Sequence, residues 1–273
     1  MTLTVEDPLN IAAPSAYLLD LDGTLYAAGA AIPGAIEALA RLRARRIPFR
    51  LVTNTTSRSR AMLVERLRGY GFEVQEEEIY TATLAGVALV REAGYASVAP
   101  FVPAAALEDM AGLELVGGVT PGSGGPSARI PSAVILGDLG EQWTYGLLQE
   151  AFEYVMGGAE PIALSRDRYW QRGDRLALDA GPFVAGLEYA TGRTARVAGK
   201  PSHGFYTAAL RSLGLGDAAA AAMVGDDLWS DVQGAQRAGL QGWLVRTGKF
   251  REDVLSGSGV APDRILASVA ELA

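Results

Sequence analysis

Short apolar runs that stop at polar residues, spaced by helix-patterned segments, constrain this chain more than any other feature. Residues 17–19, 49–52, 195–198, 221–224 and 242–245 read as strands, and helical patterns at 35–46, 59–69, 204–213 and 231–238 fall between them. That order builds an α/β fold, with a mostly parallel sheet and helices against its faces, here a Rossmann-like core. Pro33 and Pro201 sit where a first helical turn tolerates them, and Gly71, Gly214 and Gly239 fit helix ends.

From about residue 82 to residue 190 the chain makes an excursion, with its own helices at 84–93 and 145–156 and strands at 132–136 and 161–164. The expectation is a discontinuous core, 1–81 and 191–273, carrying an inserted α/β cap domain, 82–190. Inside the insertion "GGVTPGSGGPSARIP", residues 117–131, reads as a surface loop. No Lys-Ser or Lys-Thr pair follows its glycines and no clear strand leads in, so a phosphate cradle is not expected there.

The strand ends carry the chemistry. "AYLLDLDGTLY" stops an apolar run at Asp20 and places Asp22 two residues on, so in an extended chain the two carboxylates point the same way. "RLVTNTT" ends a second run at Thr53 and Asn54, "MVGDDLWSD" a third at Asp226 and Asp227 with Asp231 close behind, and Lys200 of "VAGKPS" lies just past a fourth. In open parallel sheets ligands bind at the carboxyl ends of strands, where residues distant in sequence meet. Carboxylates gathered there repel one another unless a cation sits among them. A hard divalent ion such as Mg²⁺, which takes one or two carboxylates plus water and substrate phosphate, meets that need. The paired acids therefore read as a metal platform, with Lys200 adding a point charge and Thr53 a hydroxyl for a phosphoryl oxygen.

Composition narrows the remaining classes. A net charge of −7 leaves no basic footprint for nucleic acid or an anionic membrane, so neither is an expected partner. The absence of cysteine excludes disulfides, thiolate metal sites and a cysteine nucleophile, and the single histidine, His203, excludes a multi-histidine metal site. "MTLTVEDPLNIAAPS" carries acids and prolines where a signal peptide needs a basic start, and no run approaches about 18 apolar residues, so a cytoplasmic protein is expected.

"DLDGT", the Thr53 strand end, "GKP" and "GDDLWSD", in this order, resemble the four signature motifs of the haloacid dehalogenase-like hydrolase superfamily. The insertion between the second and third motifs is similar to the class with a large α/β cap, and "RDRYWQRGDRLALDAGPFVAGLEYATG" carries the likeness into the insertion. The resemblance implies a Mg²⁺-dependent phosphatase. It makes Asp20 the nucleophile and a metal ligand, and Asp22 the general acid and base, lending its backbone carbonyl to the metal. Thr53 and Asn54 would hold the phosphoryl group, Lys200 would neutralise charge and orient Asp20, and Asp226 would ligate Mg²⁺. Asp227 and Asp231 would orient the metal's waters or Lys200, and Gly23 would let the backbone turn beside the phosphate. The implied substrate is a small phosphorylated metabolite, pyrophosphate or a phosphoamino acid; a second copy, joined through the cap, is the expected assembly partner.

The residue types support that chemistry on their own, because a carboxylate can attack phosphorus while a second acid protonates the leaving oxygen and then activates water. A phosphotransferase or mutase would use the same nucleophile with a different acceptor. A receiver-like signalling module also gathers acids, a hydroxyl and a lysine, but its acidic pair precedes the acceptor, whereas Asp226 and Asp227 follow Lys200. In "SRDRYWQRGD", Arg168, Tyr169 and Trp170 are candidates to cover the leaving group; the competing reading is a hairpin with a solvated basic face. His203 reads as a surface or capping residue.

Overall fold

The computed structural model describes residues 13–120, 127, 129–172, 175–216 and 221–272. β1 (Ala16–Asp20) leads into a short pair, β2 (Tyr26–Ala27) and β3 (Ala30–Ala31), and α1 (Ala35–Ala44) returns the chain to β4 (Phe49–Thr53). α2 (Arg60–Gly69) precedes β5 (Ile79–Thr81), after which α3 (Ala82–Glu92) carries the chain into the insertion. There β6 (Ser97–Phe101), β7 (Glu114–Leu115), β8 (Ala133–Leu136), α4 (Tyr145–Met156) and β9 (Glu160–Ala163) follow in order. A hairpin, β10 (Tyr169–Arg172) with β11 (Arg175–Leu178), comes next, then α5 (Ala180–Thr191) and β12 (Arg196–Val197). α6 (His203–Arg211) brings the chain back to β13 (Ala221–Gly225), α7 (Gly234–Arg237), β14 (Gln241–Val245), α8 (Glu252–Ser258) and β15 (Arg264–Leu266).

Apart from the antiparallel pairs β2–β3 and β10–β11, the described strands form two parallel sheets. The larger has the order β15-β14-β13-β1-β4-β5, with β1 between β13 and β4. All five residues of β1 are buried, as a strand covered on both faces requires. Its side chains alternate between two cores. Leu18 and Met223 pack with Phe205 and Ala209 of α6, while Leu19 and Val224 pack with Leu39 of α1 and Leu67 of α2.

The second sheet has the order β12-β9-β8-β6-β7. α4 and α5 cover one face, where Val134 and Leu136 meet Tyr154 and Val184. α3 lies against the other, and its Val87 and Val90 belong to the same apolar cluster as Leu18, Ile135 and Ile162. The two sheets thus share a continuous apolar contact through α3.

Four local findings differ from the sequence reading. The strand before Lys200 belongs to the second sheet, because β12 pairs with β9, so Lys200 reaches the strand ends of the larger sheet from the insertion's side. The segment expected as one helix from 231 is a π-helical stretch, Leu228–Gln233, running into the short α7. β6 escaped the pattern because Pro100 sits inside it, and proline in a central strand removes a ladder donor. A short strand, β7, does lead toward the glycine-rich loop, where Gly118 donates its N–H to the buried Glu150 at 2.7 Å; residues 121–126 and 128 of that loop lie outside the described residues. Among the described residues no helix is long and apolar enough to cross a membrane.

Candidate active site

Asp20, the last residue of β1, meets Lys200 at the carboxyl end of the larger sheet. The lysine Nζ donates to Asp20 Oδ1 at 2.5 Å and to Asp231 Oδ1 at 2.7 Å, and all three residues are buried. Asp231 is held in place from its own segment: its Oδ2 accepts the Asp227 N–H at 3.1 Å, and a Cβ at Gly225 would lie 2.1 Å from it. Asp226 follows β13, and its Oδ2 accepts the Lys249 N–H at 2.6 Å. Gly23 and Gly248 crowd the same oxygen with φ of +84° and +57°, and a Cβ on either would lie 2.0 Å from it. Only glycine suits both the space and the backbone angle at these two positions.

One oxygen from each of Asp20, Asp226 and Asp231 lies within 4.8 Å of the others. Lys200 is the one ammonium in ion-pair contact with this trio among the described residues, so three carboxylates stand against one cation. Burial pushes Asp20 well above the usual carboxylate range; Lys200 opposes the push, and Asp231 and Asp226 add to it. Burial likewise lifts Asp226 up to about 7, with the charge of Asp231 adding and Lys249 opposing. Burial disfavours the charge on Lys200 as well, but Asp20 and Asp231 outweigh it and hold the amine protonated. The surplus of two negative charges is the charge of one divalent cation, and the donor set is all hard oxygen, so the residues fit such an ion. Both oxygens of Asp231 are engaged, which leaves Asp20 and Asp226 as the carboxylates placed to ligate it.

Asp22 stands apart from the buried trio. Its side chain is exposed and accepts a hydrogen bond from Tyr26 Oη at 2.7 Å, so its backbone, not its carboxylate, is what it has for a metal. Thr53 is buried at the end of β4, where its hydroxyl accepts from the Thr55 N–H at 3.0 Å. The side chain of Asn54, expected on a phosphoryl group, instead clamps the lysine loop. Its Nδ2 donates to Lys200 O at 2.9 Å and its Oδ1 accepts from Lys200 N at 2.8 Å, with Asp167 Oδ2 a further acceptor at 3.3 Å. Of the two roles expected of Asp227, orienting the metal's waters or Lys200, the contacts do not include the second: Lys200 bonds Asp231, not Asp227. Asp227 caps the π-helical stretch by accepting from Trp229 N and Ser230 N, and pairs with Lys249 Nζ at 3.0 Å. Burial works against its charge, but Lys249 and those N–H groups hold it at about 2.

Sequence reasoning missed Lys249, Thr247 and Tyr26. The first two lie in "RTGKF" just past β14, where the strand-end rule already in use points; Thr247 Oγ1 donates to Gly23 O at 2.6 Å. Tyr26 left no such signal.

Arg168, Tyr169 and Trp170 lie exposed at the start of the β10–β11 hairpin, with the Arg168 guanidinium 5.9 Å from the Tyr169 ring centre. Trp170 Nε1 donates to Asp138 Oδ2 at 3.2 Å, and the Asp138 N–H donates to Thr56 Oγ1 at 2.8 Å, which ties the hairpin to the loop after β4. No hydrogen bond or ion pair among the described residues joins these three to Asp20, Lys200 or Asp226. His203 is exposed at the start of α6.

The sequence pattern described as haloacid dehalogenase-like hydrolase matches residues 17–115, and a related one, described as HAD-hydrolase-like, matches 197–272. The haloacid dehalogenase-like hydrolase domain-containing protein 2 of Bos taurus is 43% identical over 238 residues, covering 86% of this chain and 85% of that protein. The phospholysine phosphohistidine inorganic pyrophosphate phosphatase of Homo sapiens is 36% identical over 268 residues, covering 96% of this chain and 94% of that protein. Among solved structures, the p-nitrophenyl phosphatase from Archaeoglobus fulgidus superposes with a TM-score of 0.84 at 30% identity, covering 94% of this chain and 97% of that one. With relatives at this identity matched over most of both chains, and with Asp20, Lys200 and Asp226 gathered at the carboxyl end of the larger sheet, the chain belongs to the haloacid dehalogenase-like hydrolases.

Proposed function

We propose that this protein is a Mg²⁺-dependent phosphatase acting on a small phosphorylated metabolite, pyrophosphate or a phosphoamino acid through a phosphorylated Asp20. The observation that carries the reading is Lys200, which bridges Asp20 and Asp231 beside Asp226 and leaves the trio two charges short of neutrality. Asp20, Asp226 and the backbone carbonyl of Asp22 would hold Mg²⁺, which when bound neutralises the carboxylates and draws charge from the phosphoryl oxygens.

Asp20 forms the new O–P bond as the bond to the leaving oxygen breaks, and Asp22 gives that oxygen its proton. Asp22 then takes a proton from the water that attacks phosphorus, which releases phosphate and restores Asp20. Asp22 suits this exchange because it is exposed and its carboxylate is oriented by Tyr26. Lys200 keeps Asp20 oriented and balances the charge gathered on the transferring group. Thr53, whose hydroxyl donates to Thr55 Oγ1 at 3.0 Å, would turn that proton to a phosphoryl oxygen, while Asn54 works through the lysine loop that its amide holds.

In this reading residues 82–190 with β12 act as the cap, the start of the β10–β11 hairpin covers the leaving group, and two copies pair through the cap. The acidic, cysteine-free composition supports a cytoplasmic setting. A phosphate-release panel over 4-nitrophenyl phosphate, pyrophosphate, phosphoserine, sugar phosphates and nucleotides tests the proposal. Release that stops on chelation and returns with Mg²⁺ is expected; undiminished release after exhaustive chelation would contradict it.

A further inference from the structure

A cavity of about 350 Å³ opens on the free edge of the larger sheet between β5, α3 and α6. Its volume is that of a small-molecule pocket. One wall is apolar, because α3 presents Leu84, Val87 and Ala88, spaced to share one helix face, beside Ile79 of β5. The rest is cationic. Arg50, Arg60, Arg91 and Arg211 line the cavity against two acids, Glu77 and Glu92, on a chain whose net charge is −7.

The arginines are not equally committed. Arg60 pairs with Asp109 at 2.9 Å and Arg211 with Glu92 at 2.8 Å. Among the described residues neither Arg50 nor Arg91 is in an ion pair: Arg50 bonds Ser212, and Arg91 makes one long contact, 3.4 Å, to Ala111 O. A second observation points to a ligand independently of the charge. Tyr80, on β5, is only 7% exposed, and its hydroxyl is buried with no hydrogen-bond partner. The ring packs edge-on against Phe205 at 5.5 Å, and Arg211 and Glu92, which also line the cavity, are the charges its hydroxyl feels. A neutral tyrosine hydroxyl there is a donor without an acceptor.

We infer that this cavity binds an organic phosphate, with its apolar body against Leu84, Val87 and Ala88 and its phosphate between the arginines and the Tyr80 hydroxyl. Guanidinium forks bind phosphate oxygens in pairs, and three terminal oxygens use the available donors more fully than the two of a carboxylate. The site is separate from the strand-end trio and stands on its own residues, so it does not depend on the reading of that centre.

The test is isothermal titration calorimetry of the full chain with phenylphosphonate, a probe that resists hydrolysis. Arg91→Gln with Arg211→Gln, both exposed and away from the strand-end residues, should weaken one class of site at least tenfold while 4-nitrophenyl phosphate turnover stays within a few-fold of wild type. Tyr80→Phe should weaken the same class by a few-fold. Phenylphosphonate should bind there at least tenfold more tightly than inorganic phosphate, since the apolar wall has nothing to hold in the latter. Unchanged isotherms in both variants would overturn the proposal. So would sedimentation showing that the arginines join two copies of the chain while the probe does not bind.

Discussion

Lys200 carries more of the site's charge balance than any other side chain, because two buried carboxylates, Asp20 and Asp231, share its one ammonium. Replacing it by methionine keeps the volume but strands both acids. Lys200→Met should therefore lower phosphate release by at least about a thousandfold and destabilise the fold by about 3–5 kcal/mol, the cost of removing one partner from a buried pair. Urea denaturation and phosphate release on the same preparation check this; a variant with wild-type stability would mean the acids are not held by that charge. Asp20, Lys200 and Asp226 were legible as a convergent set because each follows a strand-like run. Asn54 and Asp227 were legible as members of the set but not in their contacts. Whether an amide faces a substrate or a neighbouring loop depends on where that loop arrives, and the loop of Lys200 arrives from the other sheet.

Among the elements, α5 offers a test of burial. Its N-cap, Asp179, accepts the Ala180 N–H at 2.5 Å, yet burial raises its carboxyl to about 7; the N–H bond opposes this, and Asp167 and Asp138 add to it. The unfolded carboxyl gives up its proton near 3.8 and the folded one near 7, so over that interval the folded state binds more protons. Stability should accordingly fall as pH rises from about 4 to about 7 and stay at the lower level above. Asp179→Asn keeps an N-cap acceptor and removes the titration. It should flatten this dependence and stabilise the protein at pH 8 by on the order of 1 kcal/mol, less than the full shift implies because part of the side chain meets water. Urea midpoints at pH 5 and pH 8 that move in parallel for variant and parent would contradict it. Elements built on mostly apolar runs, β1, β4, β13 and β14, were readable along the chain. β6 was hidden by Pro100; β12 was readable in the run 195–198, but so short a strand says nothing about which sheet it joins.

At the scale of the whole molecule, the proposed function gives the phosphoryl chemistry to the carboxyl end of the larger sheet and leaving-group recognition to Arg168, Tyr169 and Trp170 at the β10–β11 hairpin, which is linked to the loop after β4 through Trp170, Asp138 and Thr56. Alanine at any of the three should shift kcat/KM between large and small substrates while leaving vanadate inhibition within a few-fold of the parent, because an ion the size of phosphate needs only the core. Unchanged substrate ratios across all three would leave the hairpin as structure alone. The α/β class was legible from the order of runs; a role for Arg168, Tyr169 and Trp170 was not, since exposed residues on a hairpin carry no periodic signal that separates recognition from solvation. The most direct measurement of the central claim is to quench turnover with acid during steady state, digest the protein and locate the phosphoryl group by mass spectrometry. A phosphorylated peptide containing Asp20, absent from Asp20→Asn, is expected; a phosphoryl group on any other residue, or none while turnover proceeds, would contradict phosphorylation of Asp20.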